Sequence, residues 1–127
     1  MAAVIYLDTH VVVWLYAHGA QYLSERVKKL IDESDLLISP VVLLELQLLQ
    51  EIGRTSVPGS AVVGELKEKI GLGICEEPFW PVVEAASKEG WTRDPFDRII
   101  VGHAALREAP LATKDQTIRD HYSRAVW

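Results

Sequence analysis

Four acidic residues stand at the edges or on the apolar sides of hydrophobic segments. They are Asp8, Glu45, Asp97 and Asp115. A buried carboxylate without a partner is strongly unfavourable or takes up a proton, so acids in such positions usually hold a cation. The chemistry that these residues predict is therefore the binding of positive charge by carboxylate oxygens.

Glu45 is the clearest of the four, because it lies in an otherwise apolar helix. Ser39 as the N-cap and Pro40 at the first helical position begin this helix. The polar residues recur at i, i+3, i+4 and i+7 and predict the solvent face: Gln47, Gln50, Glu51 and Arg54. The helical neighbours of Glu45 are apolar: Val41, Val42, Leu48 and Leu49. Glu45 is therefore predicted to lie roughly opposite the solvent face, where it fits a buried Arg or Lys, a metal ion or the wall of a cleft.

Asp8 and Asp115 each follow a short apolar stretch that is typical of a buried parallel strand. Asp8 comes directly after residues 3–7, and Asp115 comes shortly after residues 111–113. A residue just past such a strand lies at the carboxyl edge of the sheet, where open α/β folds place their ligand sites. The alternative is that each acid only caps the helix that follows it.

Asp97 lies in a segment with a strong helix-start signature. Asp94 is placed as the N-cap, Pro95 as the first helical residue and Asp97 three residues after the cap. Both acids then lie by the positive end of the helix dipole, which favours their ionised forms. The alternative is that they only cap the helix. His103, on the inward side of the same helix, is predicted to be a hydrogen-bonded core histidine.

The order of these segments predicts an α/β fold with a mainly parallel central sheet of four to five strands flanked by helices. The length of 127 residues allows one domain with its own core. The predicted strands are residues 3–7, 36–39, 73–76, 110–113 and 125–127. The predicted helices are residues 9–17, 23–33, 40–52, 60–70, 80–88, 95–107 and 116–121. In such a sheet the edges that carry the four acids converge on one rim.

Charge and composition narrow the class of function. The net charge of −5 argues against loose electrostatic binding of nucleic acid. Residues 91–127 nevertheless hold 6 of the 13 Lys and Arg residues and only 5 of the 18 acids. If the four acids bind divalent ions, four cations of this region could face a phosphate backbone, and the alternative is that they are solvated surface charges. They are Arg93, Arg98, Lys114 and Arg119.

The same composition predicts a soluble cytoplasmic protein without a membrane segment. Cys75 is the single cysteine, so it cannot form an intrachain disulfide, which suits a reducing compartment. The amino terminus lacks a basic leader region, and no apolar run approaches the roughly 20 residues of a membrane span.

Four motifs of the chain resemble PIN domains, most closely the toxins of VapC-type toxin–antitoxin modules. The motifs are Tyr6-Leu7-Asp8-Thr9-His10, Ser39-Pro40 leading to Leu44-Glu45-Leu46, Arg93-Asp94-Pro95-Phe96-Asp97-Arg98-Ile99-Ile100-Val101 and Ala112-Thr113-Lys114-Asp115. The resemblance covers residues 1–127 as one PIN domain. It implies an endoribonuclease that uses one or two Mg²⁺ or Mn²⁺ ions. It also implies a homodimer whose activity is blocked by a cognate antitoxin protein.

Carried over residue by residue, the acidic quartet of the family falls on Asp8, Glu45, Asp97 and Asp115. Carboxylate oxygens without thiolates or a histidine cluster favour such hard ions over zinc. Asp8 and Asp97 are the expected direct ligands, and Glu45 and Asp115 complete the site directly or through water. Neighbouring residues are expected to support the acids: Thr9, Asp94 and Thr113. His103 stands where relatives often have glutamine.

Other functions are weighed against this one. A phosphotransfer enzyme with an aspartyl nucleophile would carry a second aspartate where this chain has His10. A response-receiver domain would share the position of Lys114, but the expected acid pair and the central phosphoacceptor strand are missing. A catalytically lapsed PIN-fold module that binds RNA or an antitoxin-like protein is the main alternative, and the intact quartet counts against it.

The first predicted helix and the turn after it carry more large apolar side chains than a short helix normally buries. They are Val11, Val12, Trp14, Leu15, Tyr16, Tyr22 and Leu23. Some of them are predicted to line a groove for a partner helix, and at least half of them to belong to the core.

Overall fold

The computed structural model describes residues 3–127, which form one five-stranded sheet flanked by seven helices. The strands are β1 (Ala3–Leu7), β2 (Ser34–Ile38), β3 (Gly73–Ile74), β4 (Leu111–Ala112) and β5 (Ala125–Val126). The helices are α1 (Thr9–His18), α2 (Glu25–Glu33), α3 (Pro40–Glu51), α4 (Gly59–Ile70), α5 (Phe79–Ser87), α6 (Pro95–Leu106) and α7 (Gln116–His121). The strand order is β3-β2-β1-β4-β5, and every neighbouring pair is parallel. The predicted fold class is confirmed.

The central strand β1 is the axis of the core. Its last three residues are almost completely buried, as expected for a strand covered on both faces. It pairs with β2 on one side and β4 on the other, so that Leu7 lies opposite Ala112. The Asp8 amide donates to the Ala112 carbonyl at 3.0 Å. The chain therefore leaves β1 and β4 at the same edge of the sheet.

The predicted element boundaries agree with the structure to within about two residues, with two differences that bear on side chains. Strand β2 begins at Ser34, two residues earlier than predicted, and β3 already ends at Ile74. Cys75 therefore follows the strand instead of lying in it, although its amide still donates to the Ile38 carbonyl at 2.9 Å. The Cys75 thiol is buried and accepts a hydrogen bond from the Tyr6 hydroxyl at 3.1 Å.

Two of the four residues predicted for the solvent face of α3, Glu51 and Arg54, are exposed, and the other two are not. Leu44 and Leu48 are exposed at 54% and 38%, whereas Gln47 and Gln50 are half-buried. Ile52, just past the helix, is 68% exposed. Helix α3 packs on three others, α1, α4 and α6, and these neighbours, not its own polarity pattern, determine its outward side.

His103 is buried on α6, as predicted. Within residues 3–127 its Nδ1 atom has no hydrogen-bond partner. Burial lowers the pKa of His103, so the imidazole is neutral at ordinary pH. Its ring lies 6.3 Å from that of Tyr6, measured between centroids. His103 is therefore a packing residue of the core.

The large apolar residues of α1 and of the turn after it divide between core and surface. Val11, Val12 and Leu23 are buried, while Tyr22 is 50% exposed. The remaining three aromatic or aliphatic side chains are half-buried against the core: Trp14, Leu15 and Tyr16.

No helix in the described part of the chain is long and apolar enough to cross a membrane.

Candidate functional site

Asp8 is the buried centre of the candidate site. It follows β1 and is the N-cap of α1, with extended backbone angles and only 6% of its surface exposed. Its Oδ1 accepts from the Thr9 amide at 2.8 Å, and its Oδ2 accepts from the Thr113 hydroxyl at 2.7 Å. Burial raises the pKa of Asp8, and these two hydrogen bonds oppose the shift. Two hydrogen bonds therefore hold the carboxylate in a buried position that disfavours its charge.

Thr113 connects Asp8 to Asp115. The fully buried Thr113 hydroxyl donates to Asp8 and accepts from the Asp115 amide at 3.1 Å. Asp115 itself is exposed and caps α7, because its Oδ1 accepts from the Ile118 amide at 3.0 Å. Asp8 and Asp115 therefore both cap the helices that follow them. They also approach each other at the carboxyl edges of β1 and β4.

Thr9 connects Asp8 to Glu45. The Thr9 hydroxyl donates to Glu45 Oε1, although the two residues lie 36 positions apart in the chain. Glu45 is half-buried, and burial raises its pKa, with further contributions from the charges of Asp8 and Asp94. An Arg or Lys was considered as the partner of Glu45, but within residues 3–127 Glu45 forms no such ion pair. The partner is a buried threonine at the wall of the acidic site.

Asp97 lies in the first turn of α6, which Asp94 caps by accepting from the Phe96 amide at 2.8 Å and the Asp97 amide at 3.3 Å. Burial and, to a smaller degree, the charges of neighbouring acids together raise the pKa of Asp97 to about 7. Those acids are Asp94, Asp8, Asp115 and Glu45. The fold therefore brings all four predicted acids, and Asp94 with them, within electrostatic reach of one another.

No Lys or Arg within the described residues forms an ion pair with the acidic cluster. Within residues 3–127 the ion pairs are Lys28–Glu25 and Lys69–Glu65, both on helix surfaces away from these acids. Like charges brought together in this way must take up protons or a cation. His10 is one group that the sequence prediction missed: it is exposed, follows Thr9, and its charge lowers the pKa of Asp8 and Glu45. Its position next to the Asp8–Thr9 pair was the available signal.

The donor set suits a hard divalent cation in chemistry, but the side chains do not converge as they stand. All the candidate ligands are carboxylate oxygens, which Mg²⁺ and Mn²⁺ prefer. Among the described residues, however, no three His, Cys, Asp or Glu side chains form a group that could hold a metal ion. Binding of an ion would have to draw the mutually repelling carboxylates together. Asp8 is the fixed member of the cluster, and the exposed Asp115 has the most room to move.

The four predicted phosphate contacts are not equivalent. Lys114 and Arg119 are exposed beside Asp115, on the loop before α7 and on α7 itself. Arg93 and Arg98 instead donate to backbone carbonyls of their own segment: Arg93 Nη1 to Gly90 at 2.9 Å, and Arg98 Nε to Thr92 at 2.8 Å.

Comparison with known proteins agrees with this description of the fold. The family model of the PIN domain matches residues 5–123. The chain is similar in structure to VapBC2 from Rickettsia felis bound to a DNA fragment from its promoter, with a TM-score of 0.66, 17% identity and coverage of 97% of this chain and 96% of that one.

Two further structures show the same similarity. DNA-bound VapBC from Salmonella typhimurium matches with a TM-score of 0.66, 18% identity and coverage of 98% and 96%. VapBC-1 from nontypeable Haemophilus influenzae matches with a TM-score of 0.60, 22% identity and coverage of 92% and 93%. At these identities the likeness concerns the fold. A sequence comparison with curated proteins finds no match.

Proposed function

Because this chain belongs to the PIN domain family, we propose that it is a metal-dependent endoribonuclease and the toxin of a type II toxin–antitoxin module. The observation that carries the proposal is the buried Asp8 carboxylate, held by Thr9 and Thr113 amid acids with which no Lys or Arg of residues 3–127 forms an ion pair. Such a cluster destabilises a fold unless it has a cation to bind.

The residues of the chain divide the work as follows. Asp8 and Asp97 would hold Mg²⁺ or Mn²⁺ directly, and Glu45 and Asp115 would hold it directly or through water. Bound ions of this kind lower the pKa of a coordinated water and neutralise a phosphate. Thr9 and Thr113 keep the buried acids in place by hydrogen bonds, so that less reorganisation is needed when substrate arrives.

The exposed cations next to the acids would bind the substrate. Lys114 and Arg119 lie on the segment that begins beside Asp115, where a phosphate chain entering the site would pass. In-line attack of water on the phosphodiester leaves a 5′-phosphate and a 3′-hydroxyl, and no side chain of the protein becomes covalently attached. The substrate class proposed is single-stranded RNA, whose exposed backbone can reach a recessed carboxylate site.

The proposed partner is an antitoxin protein that fills a groove beside α1. This groove has a volume of about 490 Å³ and lies between α1, α3, α4 and the loop of residues 53–57. Its α1 lining is Val13, Tyr16, Ala17 and His18. Val13 and Tyr16 are half-buried, and such side chains suit the apolar face of an amphipathic helix. Of the residues that the sequence analysis offered for a partner groove, only Tyr16 lines this one.

A second candidate function has one observation in its favour. The described carboxylates do not converge on a common point, as expected of a lapsed PIN-fold module that binds RNA or an antitoxin-like protein without cleaving RNA. The two functions differ in whether the acids are needed for more than folding.

The experiment that decides between them is cleavage of total RNA by the purified, inhibitor-free protein with Mg²⁺ or Mn²⁺ added. Asp8→Asn and Glu45→Gln are compared with Asp32→Asn, an exposed acid at the end of α2. We expect cleavage by the wild type and by Asp32→Asn, and its loss in the two site variants, whose melting temperatures should be no lower than that of the wild type. Absence of cleavage by the wild type, with no Mn²⁺ bound in calorimetry, would overturn the nuclease proposal in favour of the binding module.

A further inference from the structure

We propose that Arg98 is a positioning residue that holds the segment before α6 in place, and that it does not contact RNA phosphate. The inference rests on the proposed nuclease function, because it concerns how Asp97 is presented. It differs from the sequence prediction, which grouped Arg98 with the exposed cations.

The contacts of Arg98 lead step by step to the acidic site. Arg98 Nε donates to the Thr92 carbonyl at 2.8 Å. The Thr92 hydroxyl accepts from the Asp94 amide at 3.1 Å. The Asp94 carboxylate in turn accepts from the amides of Phe96 and Asp97, which begin α6. Arg98 therefore holds Thr92 in place. The Thr92 hydroxyl in turn holds Asp94, which caps the helix that carries Asp97.

A second arginine strengthens the same point of the chain. Arg93 Nη1 donates to the Gly90 carbonyl at 2.9 Å and to the Thr92 carbonyl at 3.3 Å. The Thr92 carbonyl thus accepts from two guanidinium groups. Arg98 is half-buried, whereas Arg93 is exposed. The Arg98 Nε–H is therefore already used in a hydrogen bond to the protein backbone.

Loss of this contact should act on catalysis through geometry. The connection between α5 and α6 ends at Asp94, and its conformation sets the direction in which α6 begins. A shift of about 1 Å in a catalytic group can cost on the order of 100-fold in rate, even when the change lies outside the chemistry. Arg98 therefore affects the turnover number more than the binding of RNA.

Two substitutions separate positioning from phosphate contact, because they remove different properties of the guanidinium. In Arg98→Gln the side-chain Nε2 occupies the same place along the side chain as the arginine Nε, so the donor is kept and the charge is lost. In Arg98→Lys the charge is kept, but a methylene replaces Nε and the donor moves one atom farther out. Positioning predicts that Gln is the better replacement, and phosphate contact predicts that Lys is.

The first measurement is kcat and KM for cleavage of a single-stranded RNA, with Arg26→Gln and Arg26→Lys as controls on the exposed side of α2. We expect kcat to fall at least ~10-fold in Arg98→Lys and less than ~3-fold in Arg98→Gln, with KM nearly unchanged. Both Arg26 variants should match the wild type. The reverse order of the two Arg98 variants would overturn the proposal.

The second measurement does not depend on activity. RNA affinity is measured against salt concentration in the Asp8→Asn background, where a lost phosphate contact lowers the slope by about 0.7. We expect Arg98→Gln to leave the slope unchanged and Arg119→Gln to lower it. A lowered slope in Arg98→Gln would identify a phosphate contact and overturn the proposal.

Amide hydrogen exchange tests whether Arg98 holds the segment before α6 in place, even if the protein cleaves no RNA. The amides of Asp94 and Phe96 should exchange faster in Arg98→Lys than in Arg98→Gln, and Thr92→Val should speed the exchange at Asp94. Equal protection in all three variants would show that the contacts do not hold the segment. Failure of the nuclease proposal would instead appear as absent cleavage by the wild type, so the two failures are distinguishable.

Discussion

The Asp97 carboxyl is ionised in the unfolded chain at neutral pH, and folding makes that ionisation unfavourable. Its pKa rises from 3.8 to about 7, first through burial and then through neighbouring acids. Between these two values the folded state binds a proton that the unfolded state has released. The favourable contribution of Asp97 to the free energy of unfolding is therefore complete below about pH 4 and is lost as pH rises through 7.

Asp97→Asn should consequently stabilise the protein at pH 7.5 in buffer without divalent ions. The full shift corresponds to ~4 kcal/mol, and allowing for solvent screening of a half-buried group leaves about 1–2 kcal/mol in the free energy of unfolding. The gain should shrink towards pH 4, because the wild-type carboxyl is then protonated. Urea unfolding at both pH values measures it, with Asp32→Asn as the control. A variant less stable than the wild type at pH 7.5 would contradict the assignment.

Thr113 gives a second prediction at the scale of the residue. Thr113→Val keeps the shape of the side chain but removes the hydroxyl that donates to Asp8 and accepts from the Asp115 amide. Leaving a buried carboxylate without this donor should cost about 1–3 kcal/mol of stability. Thr113→Ser keeps the hydroxyl and should lose less.

A double-mutant cycle identifies the partner of Thr113. In the Asp8→Asn background the charge to be stabilised is gone, so Thr113→Val should cost measurably less there than in the wild type. An equal cost in both backgrounds would mean that the hydroxyl acts on the backbone of Asp115 alone.

At the scale of the element, the contact of α5 with α6 depends on Gly102. A Cβ atom at this position would lie 3.0 Å from the Ala86 amide nitrogen and 3.1 Å from the Val82 carbonyl oxygen. Both atoms belong to helix backbone, which cannot move aside without separating the helices. Gly102→Ala should therefore destabilise the protein by about 1–3 kcal/mol, although alanine favours a helix.

Gly64, in α4, is the matched control for Gly102. A Cβ atom there would have nothing within 4 Å. Gly64→Ala should therefore raise stability by up to about 1 kcal/mol through helix propensity alone. Opposite signs of the two thermal shifts, measured by calorimetry, are the expected result. A stabilising shift in Gly102→Ala would show that the close approach of α5 and α6 does not require glycine.

The elements that could be predicted from the sequence are those determined by local chemistry. Helices α3 and α6 begin at the predicted residues, Pro40 and Pro95, because the capping residue and the proline act within one turn. The exposed face of α3 could not be predicted in this way. Which of its sides meets α1, α4 and α6 depends on tertiary packing, and Leu44 is exposed as a result.

The same division applies to the candidate site. The parallel order of the strands made it predictable that Asp8 and Asp115 approach each other at one edge. The hydrogen bond from Thr9 to Glu45 and that from Arg98 to Thr92 depend on exact side-chain geometry, and neither the spacing nor the charge of these residues reveals it. Sequence reasoning therefore predicted the approach of the acids but not the hydrogen bonds that Thr9 and Arg98 make.

At the scale of the whole molecule, exposed apolar surface is concentrated on a few elements. Leu44 and Leu48 lie on α3, and Ile52 follows it. Phe79 and Trp80 begin α5 and are 63% and 73% exposed. Side chains this large are usually covered when they cluster on one element. The homodimer proposed from the family resemblance offers such cover, with α3 as the candidate contact.

Charges placed on α3 should therefore dissociate the dimer without unfolding the protomer. We expect the wild type to be a dimer by light scattering at micromolar concentration, and Leu44→Glu with Ile52→Glu to be a monomer. Both side chains are more than half exposed in the protomer, so their replacement should change the melting temperature of the monomer little. Ile70→Glu, at a partly exposed apolar residue at the end of α4, is the control and should remain dimeric. A dimer that survives both charges on α3 would move the interface to another surface, such as the exposed aromatic pair of α5.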